Sequence, residues 1–207
     1  MRPHRITLTP QTDDNGICAS QTPLAAGNLT IAGALASGGA VSLNHAHLIT
    51  IASDGADSGR TFTITGTDYR GVALTEAVTG PASTTTQSTK YFKKVIQVAV
   101  DAATAGAIIV GVDGRSVSDW IMLDRNIDPF NIGFGVDISA TLTYTVQHTF
   151  EDLQVADISA VKAFDHASVA AETTDQNSNY AYPCTAMRAL ISAFTSGTLK
   201  LNVIQAG

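Results

Sequence analysis

RTFTITGTDYRGVALTEAVTG, Arg60 to Gly80, holds two alternating runs around one turn. In Thr61–Thr65, Phe62 and Ile64 point one way and the threonines the other, because successive side chains alternate across a pleated strand. GTDYRG (Gly66–Gly71) supplies an Asp and two glycines, which tolerate tight turn conformations. Val72–Val78 alternates again, but Glu76 falls among the larger apolar residues, so the parity alone leaves its buried face undecided. The stretch reads as β-structure and places almost no reactive side chain along it.

Working outward, the same period-2 pattern recurs, and no window sustains a 3.6-residue period for three turns. HAHLITIA (His45–Ala52) reads as one strand forming a hairpin with Thr61–Thr65. GPASTTTQST reads as a polar connection. FKKVIQVAV (Phe92–Val100) places Phe92, Ile96, Val98 and Val100 on one parity, and AIIVGV (Ala107–Val112) is expected to follow it as a closing hairpin. After the DGRS turn, Trp120–Leu123 is a short strand and DRNIDPFN an irregular link. Ile132–Phe150 holds the clearest alternation, with Leu142, Tyr144, Val146 and His148 against a threonine-rich face expected to be wet. Val155–Ala171 reads equally as short helix or loop. Ala186–Phe194 and Thr198–Gln205, joined by TSG, read as a final hairpin.

The fold expected is all-β: two small antiparallel β-sandwich, jelly-roll-like modules, at 45–114 and 115–207. Residues 1–44 are rich in Ala, Gly, Ser and Thr and read as an extended N-terminal arm with strand-like pieces, ordered by docking on its own domain or on a neighbour.

With 207 residues the chain is long enough to bury roughly 70% of its unfolded surface. Charged residues are only 14%, so exposed faces must be covered by Thr, Ser, Asn and Gln. A formal charge of −6 repels polyanions, which argues against nucleic-acid binding. The basic N-terminus lacks a following apolar region and no run of about 18 apolar residues occurs, so neither a signal peptide nor a membrane span is expected. Cys18 and Cys184 have no metal-ligand spacing; they read as two small buried thiols or as a disulfide tying the ends together.

Reactive constellations are weak. His45 and His47 share a strand face, but no third metal ligand is identifiable. Asp54 and Asp57 in SDGADSG, like Asp13, Asp14 and Asn15 in TDDNG, lack the spacing of a calcium loop and read as turn chemistry. No GxSxG elbow occurs, and GALASGGA lacks the lysine of a phosphate loop. Asp68 and Glu76, with Tyr69 nearby, are a poor basis for a glycosidase. No catalytic, cofactor-binding or metal site is therefore expected, and no cofactor.

The runs TFTITGTDYRGVALTEAVTGP and TKYFKKVIQVAVDAATAGAIIVGVDG, with DPFNIGFGVDISATLTYTVQHTFED and NYAYPCTAMRALISAFTSGTLKLNVIQAG, resemble a pattern seen in virion structural proteins of tailed bacteriophages. The resemblance covers most of residues 45–207 and consists of strand and turn signatures. It implies a non-enzymatic capsid decoration (cement) protein at the virion surface, assembled in the host cytoplasm. Its implied partners are the major capsid protein and further copies of itself, with no nucleic acid and no membrane. The alternative is a tail-associated or head-fibre protein contacting a host-surface glycan or another adhesin component, with Tyr69, Tyr180 and Tyr182 as candidate stacking faces.

Overall fold

A computed structural model describes residues 3–126 and 130–205. It is all-β, with strands over 55% of the chain arranged in antiparallel sheets. Two compact units divide it: Gln11–Gly114, here the first unit, and Met1–Pro10 together with Arg115–Gly207, the second.

Strand β1 (His4–Leu8) belongs to the second unit. The first unit holds β2 (Thr12–Gln21), β3 (Gly27–Asn28), β4 (Ala36–Ser37), β5 (Ala40–His47), β6 (Thr50–Ser53), β7 (Thr61–Thr67), β8 (Ala73–Thr79), β9 (Thr85–Gln87), β10 (Phe92–Val100) and β11 (Ile108–Asp113). One of its layers runs β2-β11-β6-β9; the other runs β5-β10-β7-β8, with β4 on β5 and β3 on β10. The layers meet in a core that includes Ile17, Ile51, Val110 and Val112 from one side and Val41, Phe62, Ile64, Phe92 and Val98 from the other. Burying each large apolar side chain fully contributes roughly 1.5–3 kcal/mol.

The second unit continues with β12 (Ser116–Val117), β13 (Ile121–Met122), β14 (Ile132–Ile138), β15 (Leu142–Thr149), β16 (Phe164–Asp165), β17 (Gln176–Tyr180), β18 (Ala186–Phe194) and β19 (Leu199–Gln205). Its layers are β1-β19-β14-β17 and β16-β15-β18-β12, with β13 also on β18. Phe134, Val136, Leu201 and Val203 from the first of these pack against Tyr144, Val146, Met187 and Ile191 from the second.

The segment over 1–44, expected as an arm with strand-like pieces, is built into the chain's own sheets at β1 and β2. β1 pairs along its length with β19, His4 against Val203 and Leu8 against Leu199, and β2 pairs with β11. Leu8, Ile17 and Cys18 are fully buried, so sparse apolar residues suffice where each one seats in a core. Gly33 permits the close approach that anchors this segment, since a Cβ there would lie 2.2 Å from the Asn15 carbonyl oxygen.

Most expected hairpins are replaced by crossings between layers. His45–Ala52 is not one strand: β5 ends at His47 and β6 starts at Thr50 in the opposite layer, and every residue from Ala46 to Ile51 is buried. β6 therefore pairs with β11 and β9, not with β7, and β9 lies within the stretch read as a polar connection. β10 and β11 lie in different layers, as do β18 and β19. Ile132–Phe150 likewise splits into β14 and β15, one in each layer. Two local hairpins are present among the described residues. One joins β7 to β8, Thr61 opposite Thr79, through the expected turn; the other joins β4 to β5 through Gly38 and Gly39, both at positive φ as a tight two-residue turn requires.

Two parities also change. The β10 register shifts twice, against β5 between Phe92 and Lys94 and against β7 between Val95 and Gln97, so Phe92, Val95, Val98 and Val100 face the core while Ile96 is 47% exposed. The second of these shifts lies beside Gly66, where an added Cβ would come within 1.9 Å of the Lys94 carbonyl oxygen. The threonine-rich face of β15 is covered, not wet: the Thr145 hydroxyl accepts the Ala171 amide, and Gln147 bridges Asp165 and Arg188. Residues 155–171 contain no helix; they pass through turns into β16. Of the DRNIDPFN link, Ile127, Asp128 and Pro129 lie outside the described residues.

Candidate functional site

The inward parity of β15 is apolar through Leu142, Tyr144 and Val146 and then reaches His148, near the strand's end. Opposite His148 on β16 stands Phe164, and the two rings stack with centroids 5.8 Å apart. Phe150 continues the same parity past the end of β15, with its ring 5.3 Å from His148. Beyond β17, Tyr182 brings its ring to 5.7 Å and its hydroxyl to 3.4 Å from His148 Nε2. Phe150, Phe164 and Tyr182 are 53%, 42% and 46% exposed, so together they form an aromatic ledge with His148, only 5% exposed, at its centre.

The ledge is the outer end of a ring path that starts inside the core. Tyr180, fully buried, lies 5.0 Å from His148, 4.8 Å from His166 and 5.6 Å from Phe134. His166 in turn sits edge-on to Phe134 and directs Nε2 at the Asn179 carbonyl, 3.1 Å away. The segment carrying Phe164 is held in place by main-chain bonds, from the His166 amide to the Val146 carbonyl and from the Val146 amide to the Val169 carbonyl. The Lys162 amide donates to Glu151 Oε1, and the Lys162 ammonium lies 5.7 Å from the centre of the Phe164 ring.

At its centre the ledge carries no charge. Burial, with His166 close by, holds the His148 pKa below its ordinary value against the opposing pull of Asp165, so at neutral pH the imidazole carries no charge. Burial raises the Tyr180 phenol, with Cys184, Tyr182 and Asp165 adding to the effect. His148 Nδ1 and the Tyr180 hydroxyl are both buried and find no hydrogen-bond partner among the described residues. Buried polar atoms without partners are uncommon in folded proteins and mark positions to be explained.

The residues singled out by the sequence are dispersed into structural roles. His47 is buried and bonds Asn44 Oδ1 at 3.1 Å. Burial lowers both His45 and His47 to about 4, with Lys93 adding to the effect on each. Among the described residues no three His, Cys, Asp or Glu side chains are grouped to hold a metal ion. Asp54 and Asp57 reach across the first unit to the 105–107 loop: Asp54 Oδ1 accepts the Ala107 amide, and Asp57 accepts the amides of Ala105 and Gly106 and the Ser53 hydroxyl. Asp13 Oδ1 accepts the Asn15 amide. Asp68 closes the β7–β8 turn by accepting the amides of Arg70 and Val72. Glu76 resolves its own conflict of pattern, since its carboxylate accepts the amides of Thr89 and Lys90 while Leu74 and Val78 turn to the core. Cys18 and Cys184 are buried free thiols. Of the three tyrosines, Tyr182 lies in the ledge, Tyr180 is core beneath it, and Tyr69 sits on the first unit, half-buried in the β7–β8 turn.

A shallow groove of about 580 Å³ runs over the second unit's other layer, lined by Asn131, Gly133, Asn177, Ser178, Asn179 and Ile204. It contains amides and bare backbone but no titratable or aromatic side chain, which leaves the ledge as the richer candidate.

No family model matches the chain, and no curated protein matches it. Among solved structures it is similar to allantoicase from Saccharomyces cerevisiae, at 11% identity over 77% of this chain and 73% of that one, with a TM-score of 0.24. A likeness that slight carries no argument about fold or activity.

Proposed function

We propose that the chain is a non-enzymatic structural protein of a tailed-phage virion, of the decoration or cement type, which binds the major capsid protein and further copies of itself at the capsid surface. The observation that carries this reading is the pairing of two all-β sandwiches with a ladder that lays β1 beside β19, so that both ends of the described chain are held in one sheet. Antiparallel sheets of this kind offer broad pleated faces, and repetition over a particle multiplies modest contacts into strong attachment. The strand and turn resemblance supports the same role. Purified protein added to undecorated heads should bind stoichiometrically and raise their melting temperature. Protein that stays in the supernatant would refute it.

A second reading, a tail-associated or head-fibre protein touching a host-surface glycan, is favoured by one observation, the half-exposed Tyr182 within an aromatic ledge. Antibody labelling of intact particles separates the two: signal over the whole head supports the first, and signal confined to the tail or sparse fibres the second.

A further inference from the structure

We infer that the ledge formed by Phe150, Phe164 and Tyr182 around His148 binds a single neutral hexopyranose unit of a glycan. The inference deepens the second reading and rests on it for where such a sugar would come from, but the site itself is argued from the ledge.

Size comes first. With 53%, 42% and 46% of three aromatic side chains exposed, each presenting roughly 200 Å² in full, the ledge offers on the order of 300 Å². A stable protein interface needs about 800 Å² from each partner, so a second copy of this chain could not be held by the ledge alone. One sugar ring is of the right extent.

Chemistry narrows the occupant. A pyranose has an apolar face of C–H bonds and a rim of hydroxyls, and aromatic rings with polar tips are suited to cover such a two-sided group. At the rim here stand the Tyr182 hydroxyl, which both donates and accepts, the Lys162 ammonium beside Phe164, and the exposed Glu151 carboxylate. The Lys162 cation faces two carboxylates, Glu151 and the neighbouring Asp165, so the rim offers no excess positive charge to a phosphorylated or strongly acidic ligand, and a neutral one suits it better. Beneath the rings lie two buried polar atoms without partners, His148 Nδ1 and the Tyr180 hydroxyl. The His148 to Tyr182 contact is long, at 3.4 Å, and can be exchanged for a ligand hydroxyl at little loss. A quaternary ammonium ligand, the usual occupant of aromatic cages, is disfavoured because the centre of the rings is filled by the His148 imidazole.

The test uses the full chain and the methyl glycosides of glucose, galactose, mannose and N-acetylglucosamine as probes, followed by NMR of the aromatic and imidazole resonances. At least one glycoside should shift Phe150, Phe164, Tyr182 and His148 saturably, with a dissociation constant of about 1–10 mM, ordinary for one sugar ring. Tyr182→Ala and Phe150→Ala remove half-exposed rings, so the melting temperature should hold while affinity falls at least about fivefold. Tyr182→Phe keeps the ring and loses the hydroxyl, and should fall between. Three results would each overturn the inference: no saturable shift with any glycoside, shifts indifferent to both alanine variants, or self-association at NMR concentrations that both variants abolish. The particle labelling above can fail while this titration succeeds, and the reverse, so the two readings are tested separately.

Discussion

Replacing Asp57 with alanine probes the polar centre of the first unit. The carboxylate is 1% exposed and accepts the Ala105 amide at 2.6 Å, the Gly106 amide at 3.2 Å and the Ser53 hydroxyl at 2.6 Å. In Asp57→Ala the Ala105 amide, on an exposed residue, can be rehydrated, and Ser53 can turn its hydroxyl elsewhere. Gly106 is buried against Gly55, where a Cβ on either glycine would meet the other's backbone nitrogen within 2.4 Å, so its amide has no room to find water. One stranded buried donor costs about 1–3 kcal/mol, and losing bonds to a charged acceptor adds to that, giving a loss of about 3 kcal/mol at pH 7. Burial alone would raise the Asp57 pKa, but the bonds from Ser53, Ala105 and Gly106, with Arg60 nearby, outweigh it and hold it below the ordinary carboxylate value. A depressed folded-state pKa stabilises above the unfolded value, near 3.9, and that contribution is lost as pH falls through the folded value. The gap between wild type and variant should therefore be full at pH 7 and shrink below about pH 4. Urea denaturation followed by circular dichroism measures the gap, and hydrogen exchange at Gly106 localises it. A loss under about 0.5 kcal/mol at pH 7 with Gly106 still protected would refute the assignment of Asp57 as the loop's anchor.

Val146 is fully buried, so Val146→Asp should cost several kcal/mol through an unpaired charge, whereas Thr145→Val, which strands only the Ala171 amide, should cost about 1–2 kcal/mol by the same urea assay. Gly66→Ala forces a Cβ against the Lys94 carbonyl and should lose about 2 kcal/mol or more, while Gly59→Ala, with nothing within 4 Å, should stay within about 0.5 kcal/mol. Burial pushes Cys18 up to about 12 and Cys184 to about 11, so neither thiol should react with a disulfide reagent at pH 8 until the chain is unfolded; rapid native labelling of either would contradict its burial. His45 and His47, lowered to about 4, should titrate by NMR well below 6.5, and because the unfolded chain binds those protons more readily, stability should fall as pH drops from about 6.5 to 4.

Strand identity was legible wherever a run alternates cleanly. Thr61–Thr67 and Ala73–Thr79 form the hairpin their pattern and turn predict, because both the parity and the Asp68 turn are local properties. Partner choice was not legible. The TSG connection between β18 and β19 looks like a hairpin loop, yet β18 pairs with β15 and β19 with β14, since both strands gain more from joining opposite layers over a shared core. The buried run from Ala46 to Ile51 carries a usable signal in retrospect: where alternation stops and several consecutive residues are buried, the chain is passing from one layer to the other. In β10 two register shifts, one against β5 between Phe92 and Lys94 and one against β7 between Val95 and Gln97, take Val95 inward and Ile96 outward, and nothing in FKKVIQVAV marks their positions. Of the ledge, the tyrosine pair at 180 and 182 was visible as an aromatic group near a loop. His148, Phe150 and Phe164 were not, because the β15–β16 pairing brings Phe164 to His148 and only ring contacts across the end of the core bring that group to the tyrosines.

The ledge follows from the same rule that builds the core. Along β15 every second side chain faces inward, and as far as Val146 there is an opposing layer for it to meet. His148 is the last inward residue of the strand, and Phe150, one step further on the same parity, is more than half exposed. β16, with Phe164, pairs with β15 at that same end, so a second ring arrives where the first runs out of cover. Tyr180 fills the gap from below and Tyr182 follows it out to solvent. Aromatic residues there keep large side chains packed on one another while leaving faces free, which an aliphatic residue at 150 or 164 could do only by exposing shapeless surface. If the ledge were merely a leaky end of the core, no glycoside should shift its resonances, and leucine at Phe150 and Phe164 together should simply preserve the melting temperature. If its purpose is a ring-shaped ligand, the double variant should keep the melting temperature within a few degrees and lose the shifts, and that difference separates packing from recognition.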